Sequence, residues 1–193
     1  MTKLLLIPIL LTAACKDDTT NPNEVITTIQ LSFSPATGSP MVFEFNDPDG
    51  DGGQAGTAQP ITLTKDLTFT LDVRFLNRTV TPEEDTTMEV MDEGFQHMLF
   101  FTGSAVKGPA TNNATAPLTQ AYADMDVNGL PIGLKDTIMT AAGTGTMTVT
   151  LRHMPPEEPP AKSADSPTAV KNGGFAAIGG STDATADFMV TVQ

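Results

Sequence analysis

One cysteine, no tryptophan, one tyrosine and two histidines stand among 193 residues, and each scarcity removes a class of function. With Cys15 alone there is no intramolecular disulfide, so stability has to come from burial, hydrogen bonds or a bound metal. Without Trp, and with only Tyr122, the chain lacks the aromatic platforms on which sugars stack, so glycan capture is not expected. Basic residues are few. Ten Lys and Arg face 23 Asp and Glu, a net charge of −13 that argues against any nucleic acid partner. Such a carboxylate excess favours solubility and draws cations. No apolar run approaches the roughly 20 residues of a spanning helix. There is also no G-x-S-x-G elbow and no phosphate-cradling glycine loop leading into a helix, so the chain reads as non-enzymatic.

What is present begins with an address. Met1, Thr2 and Lys3 precede the apolar run from Leu4 to Leu11, the charged start and greasy middle of a secretory leader. Leu11-Thr12-Ala13-Ala14-Cys15 then resembles the lipobox of bacterial lipoproteins. That resemblance implies cleavage after Ala14, lipidation of Cys15, for instance by palmitate, and attachment to a membrane through the lipid. A plain cleaved leader with an incidental cysteine is the alternative. Lys16-Asp17-Asp18 resembles the export signal of Bacteroidota-type lipoproteins and implies display on the outer face of the outer membrane. Residues 1–14 thus read as a lipoprotein signal peptide, 15–24 as a flexible polar tether, and 25–193 as a single domain. Asp18-Thr19-Thr20, Asp85-Thr86-Thr87 and Asp136-Thr137-Ile138 resemble the O-glycosylation acceptors of the same bacteria, which makes Thr19, Thr86 and Thr137 candidates.

The domain itself reads as strand after strand. Apolar residues alternate with polar ones around Val25 to Phe33, Met41 to Phe45, Leu67 to Phe75, Gly145 to Met154 and Asp187 to Gln193, the period of a half-buried strand. Asn128-Gly129 between Ala116–Ala123 and Ile132–Met139 predicts a hairpin. Thr81-Pro82-Glu83-Glu84 predicts the start of one short helix running to about Glu93. Pro155 to about Ala184 is expected to be loop with at most one short edge element. Eight or nine strands with at most one short helix predict an all-β, antiparallel β-sandwich of immunoglobulin-like outline, with a barrel as the alternative.

Val25 to Thr28, Phe45 to Gly53, Gln96-His97, Asp124 to Leu134, Thr150 to His153 and Val190 to Gln193 together resemble a group of flavobacterial surface lipoproteins. Some of that group carry the label "type 1 periplasmic binding fold", a two-lobed α/β architecture. The resemblance implies a location but no activity, and the strand periods here call for a sandwich instead.

Three places can hold an ion. Asp47, Asp49 and Asp51 followed by Gly52 match the first half of a calcium loop, although position twelve is Ala58 rather than Glu. Asp124, Asp126 and Asn128 repeat the spacing, with Lys135 in the twelfth place. A solvated Asp/Gly turn between strands is the alternative for the first loop, and Asn128-Gly129 explains the second as a hairpin by itself. His97 and His153 sit on predicted strands, and neutral imidazoles from neighbouring strands bind copper with Met98 or Met154, or zinc with Asp92 or Glu93. Two packed histidines are the alternative. The expectation is a surface-tethered binding or accessory module, calcium being its possible cofactor, with an outer-membrane transporter or other envelope protein as its possible partner. The rival classes are a metal-binding protein or metal-dependent enzyme built on His97 and His153, and a structural adhesin.

Overall fold

The structure, a computed structural model, describes residues 25–50 and 53–193. The leader, Cys15, Lys16, Asp17, Asp18, Thr19 and Asp51 lie outside the described residues. In chain order the strands are β1 (Thr28–Pro35), β2 (Met41–Asn46), β3 (Thr57–Ala58), β4 (Ile61–Leu63), β5 (Thr68–Asn77) and β6 (Glu84–Asp85). They continue with β7 (His97–Thr102), β8 (Val106–Gly108), β9 (Thr111–Asn112), β10 (Leu118–Tyr122), β11 (Lys135–Thr140), β12 (Gly143–His153) and β13 (Ser181–Val192). Two short helices, α1 (Thr87–Asp92) and α2 (Ser166–Gly173), complete the set with a 3-10 turn at Phe175–Ala177.

The alternation read from the sequence is what builds the sandwich. One sheet runs β3-β2-β1-β5-β11-β10-β8-β9 with β6 paired to β5, and the other runs β4-β13-β12-β7. Every second residue of the long strands faces the opposing sheet. Ile29, Leu31 and Phe33 of β1 and Phe69, Leu71, Val73 and Phe75 of β5 meet Leu99, Phe101, Met147, Val149, Leu151 and Phe188 from the other side. Phe33 joins Phe43 and Phe69 edge-on, with ring centroids 6.0 and 6.2 Å apart. At roughly 1.5–3 kcal/mol for each large apolar side chain buried, this one layer supplies the driving force that a disulfide-free chain needs.

The strand count exceeds the expected eight or nine because two- and three-residue strands carry no period of their own. Two pairs, β8 with β10 and β4 with β13, are parallel. The expected helix is displaced. Glu84 and Asp85 pair with Asn77 and Leu76 instead of opening a helix, and α1 begins only at Thr87, where the Asp85 carboxylate accepts the Thr87 amide at 3.0 Å. A second helix, α2, stands in the stretch expected to be loop. Pro167 occupies its first turn, where a missing N–H costs nothing. Its Val170 joins Met98, Phe100, Ala110, Met154 and Ile178 in a second small core on the outer face of β7 and β12. The β10–β11 hairpin is present, its Asn128-Gly129 turn lying at the tip of a longer loop.

Candidate metal centre

His97 opens β7 and His153 closes β12, and antiparallel pairing sets the two directly opposite each other. Residues so placed lie side by side on one face. The two rings stack, centroids 4.8 Å apart and 20° from parallel. Both are in phase with the inward residues Leu99, Phe101, Met147, Val149 and Leu151, so the pair sits at the end of the main core, and His97 is fully buried. Met98 and Met154, one residue further along each chain, point the other way into the second core. The soft-ligand copper arrangement is therefore ruled out by the period of two: a strand cannot turn neighbouring side chains to one face.

Two carboxylates flank the rings. Glu93, at the end of α1, belongs with His97 and His153 to a group whose ligand atoms all lie within 4.8 Å of one another. Its carboxylate approaches Nδ1 of His97 at 4.0 Å and accepts from Gln96 Nε2 at 2.8 Å. The Glu93 backbone carbonyl is nearer, 3.3 Å from the same Nδ1. On the far side of the ring, Asp183 Oδ2 lies 3.5 Å from Nε2 of His97. Asp92, the other acid considered for zinc, is not part of this group.

Asp183 reaches this position through a bulge. Along β13 the residues Ala186, Phe188, Val190 and Val192 are buried, so Asp187, Met189 and Thr191 face away from the core. Regular pairing would send Asp183 away with them. Between Leu151 and Arg152, however, the register slips: Leu151 pairs with Ala184, Arg152 with Thr182, and Asp183 is the extra residue. A bulge of this kind re-aims a side chain. Arg152 fixes the segment by donating to Thr182 Oγ1 and the Gly179 carbonyl, both at 2.8 Å. Gly180 (φ +73°) passes so close to the His153 carbonyl that a Cβ there would lie 1.8 Å from it.

The chemistry available is cation binding. Zinc–imidazole bonds of about 2.0–2.1 Å place tetrahedral donors about 3.3 Å apart, so closing on an ion requires the donors, now within 4.8 Å, to draw together and one of the stacked rings to rotate. Nε2 of His153 and Oδ2 of Asp183 are buried and make no hydrogen bond among the described residues, although Oδ2 of Asp183 faces Nε2 of His97. A cleft of about 250 Å³ adjoins, lined in part by Ile26, Thr28, Phe45, Asp47, Asp183 and Thr185. A larger depression of about 460 Å³, bordered by Lys107, Asn112 and Lys171, shares no residue with the centre and brings no ligand cluster with it.

The two acidic loops are built differently. Asp124 accepts the amides of Gly133, Leu134 and Lys135 at 2.8–3.0 Å, and Asp126 accepts those of Asn128 and Leu130 while also binding Lys162 Nζ at 2.8 Å. These bonds support the plain-hairpin alternative, because a calcium ion would have to displace an ammonium. Asp47 and Asp49 remain loosely held: Asp47 accepts the Asp49 amide, and Asp49 accepts that of Gln54, both at 3.4 Å. Both loops leave the same end of the larger sheet, but β1 and β5 stand between β2 and β11. At about 4.8 Å per strand, β2 and β11 lie about 14 Å apart. Of the candidate acceptors, Thr86 is buried with its hydroxyl on the Phe75 carbonyl, and Thr137 is half-buried on β11.

Sequence reasoning found both histidines and Glu93 but not Asp183, nor the buried polar pairs Lys162–Asp126 and Gln120–Asp136. No protein-family model, no curated protein and no solved structure matches the chain, so the centre is described by its own geometry alone.

Proposed function

We propose that the chain is an outer-membrane lipoprotein, tethered through Cys15 and facing the cell exterior, whose β-sandwich is a non-enzymatic binding module holding a divalent transition-metal ion. The observation that carries the metal reading is the convergence of His97 and His153 with a flanking carboxylate within 4.8 Å at one end of the core. Two nitrogens and an oxygen on separate elements suit zinc. The net charge of −13 favours the approach of cations. The anchor reading is supported by the likeness of Leu11 to Cys15 to a lipobox.

Titration of metal-free protein with zinc tests the first part. Zinc at 100 times its dissociation constant should stabilise the wild-type fold by about 2.7 kcal/mol, read as a rise in melting temperature. His153→Gln should abolish most of that rise. Melting that ignores zinc but responds to calcium would overturn this reading in favour of the Asp47–Asp49 loop. For the anchor, radiolabelled palmitate should enter the wild-type protein in its host and fail to enter Cys15→Ser. A wild-type protein left unlabelled would overturn it.

A further inference from the structure

In the loop between β10 and β11 the acids are held inside and the apolar residues stand out, the reverse of what water selects in a turn. The Asp124 and Asp126 carboxylates accept five backbone amides and the Lys162 ammonium. Between and beyond them, Met125 is 69% and Val127 92% exposed. We infer that this end of the sandwich lies against the surface of an uncharged phospholipid bilayer, with Met125, Val127 and the outer face of α1 entering the headgroup boundary. The inference rests on the lipid-anchor reading and adds an orientation to it.

α1 brings the second apolar strip. Met88, Met91 and Phe95, on the helix and the turn that follows it, recur at helical spacing and are all exposed, while Val90 is buried behind them. Lys162 pins this turn to the loop, its Nζ donating to the Gly94 carbonyl at 2.6 Å and to Asp126 Oδ2 at 2.8 Å. The loop tip is held in shape as well: the Asp126 amide donates to the Leu130 carbonyl at 2.8 Å, and Met125 pairs with Pro131. Val25 is at this same end, because β1 begins here, with Thr28 opposite Leu76 at the finish of β5. The far end offers Leu67 and Met139.

The occupant follows from where the chain leads. Ten residues, Cys15 to Glu24, precede Val25, and a chain of that length reaches at most roughly 35 Å. The far end lies a ten-residue strand further off, about 33 Å along β5. A lipid on Cys15 therefore keeps the end bearing Met125 and Val127 next to the bilayer. Exposed apolar side chains held there gain by burial at the boundary without spanning it. A second copy suits this end less well, because chains of net charge −13 repel each other. The same charge selects uncharged headgroups over anionic ones.

The chain contains no tryptophan, so a single introduced one reports alone. Val127→Trp and, as control, Met139→Trp are made in the full chain, lipidated in the host and reconstituted in phosphatidylcholine vesicles with brominated acyl chains. Both positions are exposed, so neither substitution enters the core. Val127→Trp should emit at shorter wavelength than Met139→Trp and lose most of its emission to the bromine, whereas Met139→Trp should lose little. Equal loss from both, as tryptophan's own affinity for lipid would produce, overturns the orientation. So does a blue shift in Val127→Trp that bromine leaves unquenched and that grows with protein density, the mark of a second copy. Vesicle-bound Val127→Trp that stays unquenched overturns this inference alone. Wild type that takes up no palmitate overturns the anchor reading and this inference with it.

Discussion

Lys162→Ala should destabilise the domain by about 3–5 kcal/mol, measured as a lower urea midpoint at an unchanged slope. Lys162 Nζ donates to the Gly94 carbonyl at 2.6 Å and to Asp126 Oδ2 at 2.8 Å, and both side chains of the pair are 1% exposed. The bond network ties the 155–165 segment to the turn after α1 and to the β10–β11 loop. Burial pushes the Asp126 carboxyl up, but the hydrogen bond from Lys162, with those from the Leu130 and Asn128 amides, outweighs it and holds the group below its ordinary value. Burial lowers the Lys162 ammonium despite the pull of Asp126. Removing the ammonium alone leaves a carboxylate charged and out of water, the costly half of a broken buried pair. Lys162→Met combined with Asp126→Asn should recover much of the loss, because neither charge is then stranded. A single variant as stable as wild type would show that water reaches the pair.

Stability should fall by several kcal/mol as pH rises from about 4 to above 8, and Asp136→Asn should flatten that slope. Asp136 is fully buried on β11 and accepts a hydrogen bond from Gln120 Nε2 at 2.6 Å. Burial pushes its pKa up to about 8; Gln120 opposes this, and the charges of Asp124 and Asp72 add to it. A carboxyl whose folded pKa is raised favours folding below its unfolded value near 3.9, and the advantage is lost as pH climbs through 8. At roughly 1.4 kcal/mol per unit the span of about four units sets an upper bound near 6 kcal/mol. Glu44 works in the opposite sense. A hydrogen bond from Arg78 draws its pKa down to about 2 against the effect of burial, so its contribution is present above the ordinary range and lost only in strong acid. Urea unfolding at several pH values checks the sign, and equal slopes for wild type and Asp136→Asn would refute it.

How much of this was legible follows from what each signal depends on. Strand phase is local, so Leu67 to Phe75 and Gly145 to His153 disclosed both their strands and their inward residues, including His153. Pairing depends on the chain folding back. That His97 and His153 are opposite each other could be entertained from the sequence but not deduced. Met98 and Met154 were legible against themselves, since the period that turns His97 inward turns its neighbour out. Asp183 was hidden because a bulge reverses phase without a residue type that marks it, and because β13 begins at Ser181, well before the apolar alternation from Asp187 becomes visible. In α2 only Val170 and the buried Ser166 and Pro167 face the fold, too few apolar positions to set a helical period in a stretch rich in Ala, Gly and Ser. Lys162 and Asp136 look like surface residues in any sequence, and only three-dimensional enclosure distinguishes them.

β13 occupies the middle of its sheet, between β4 and β12, although it is made after every other described element. Until it leaves the ribosome, β4 has no neighbour and one side of the β12 amide ladder is bare. Its parallel register ties Ile61 to Val190, a closure across most of the domain, and such distant pairings form slowly. Closure of the smaller sheet therefore waits for the last of the described strands, and its earlier strands stay open along one edge until that strand docks.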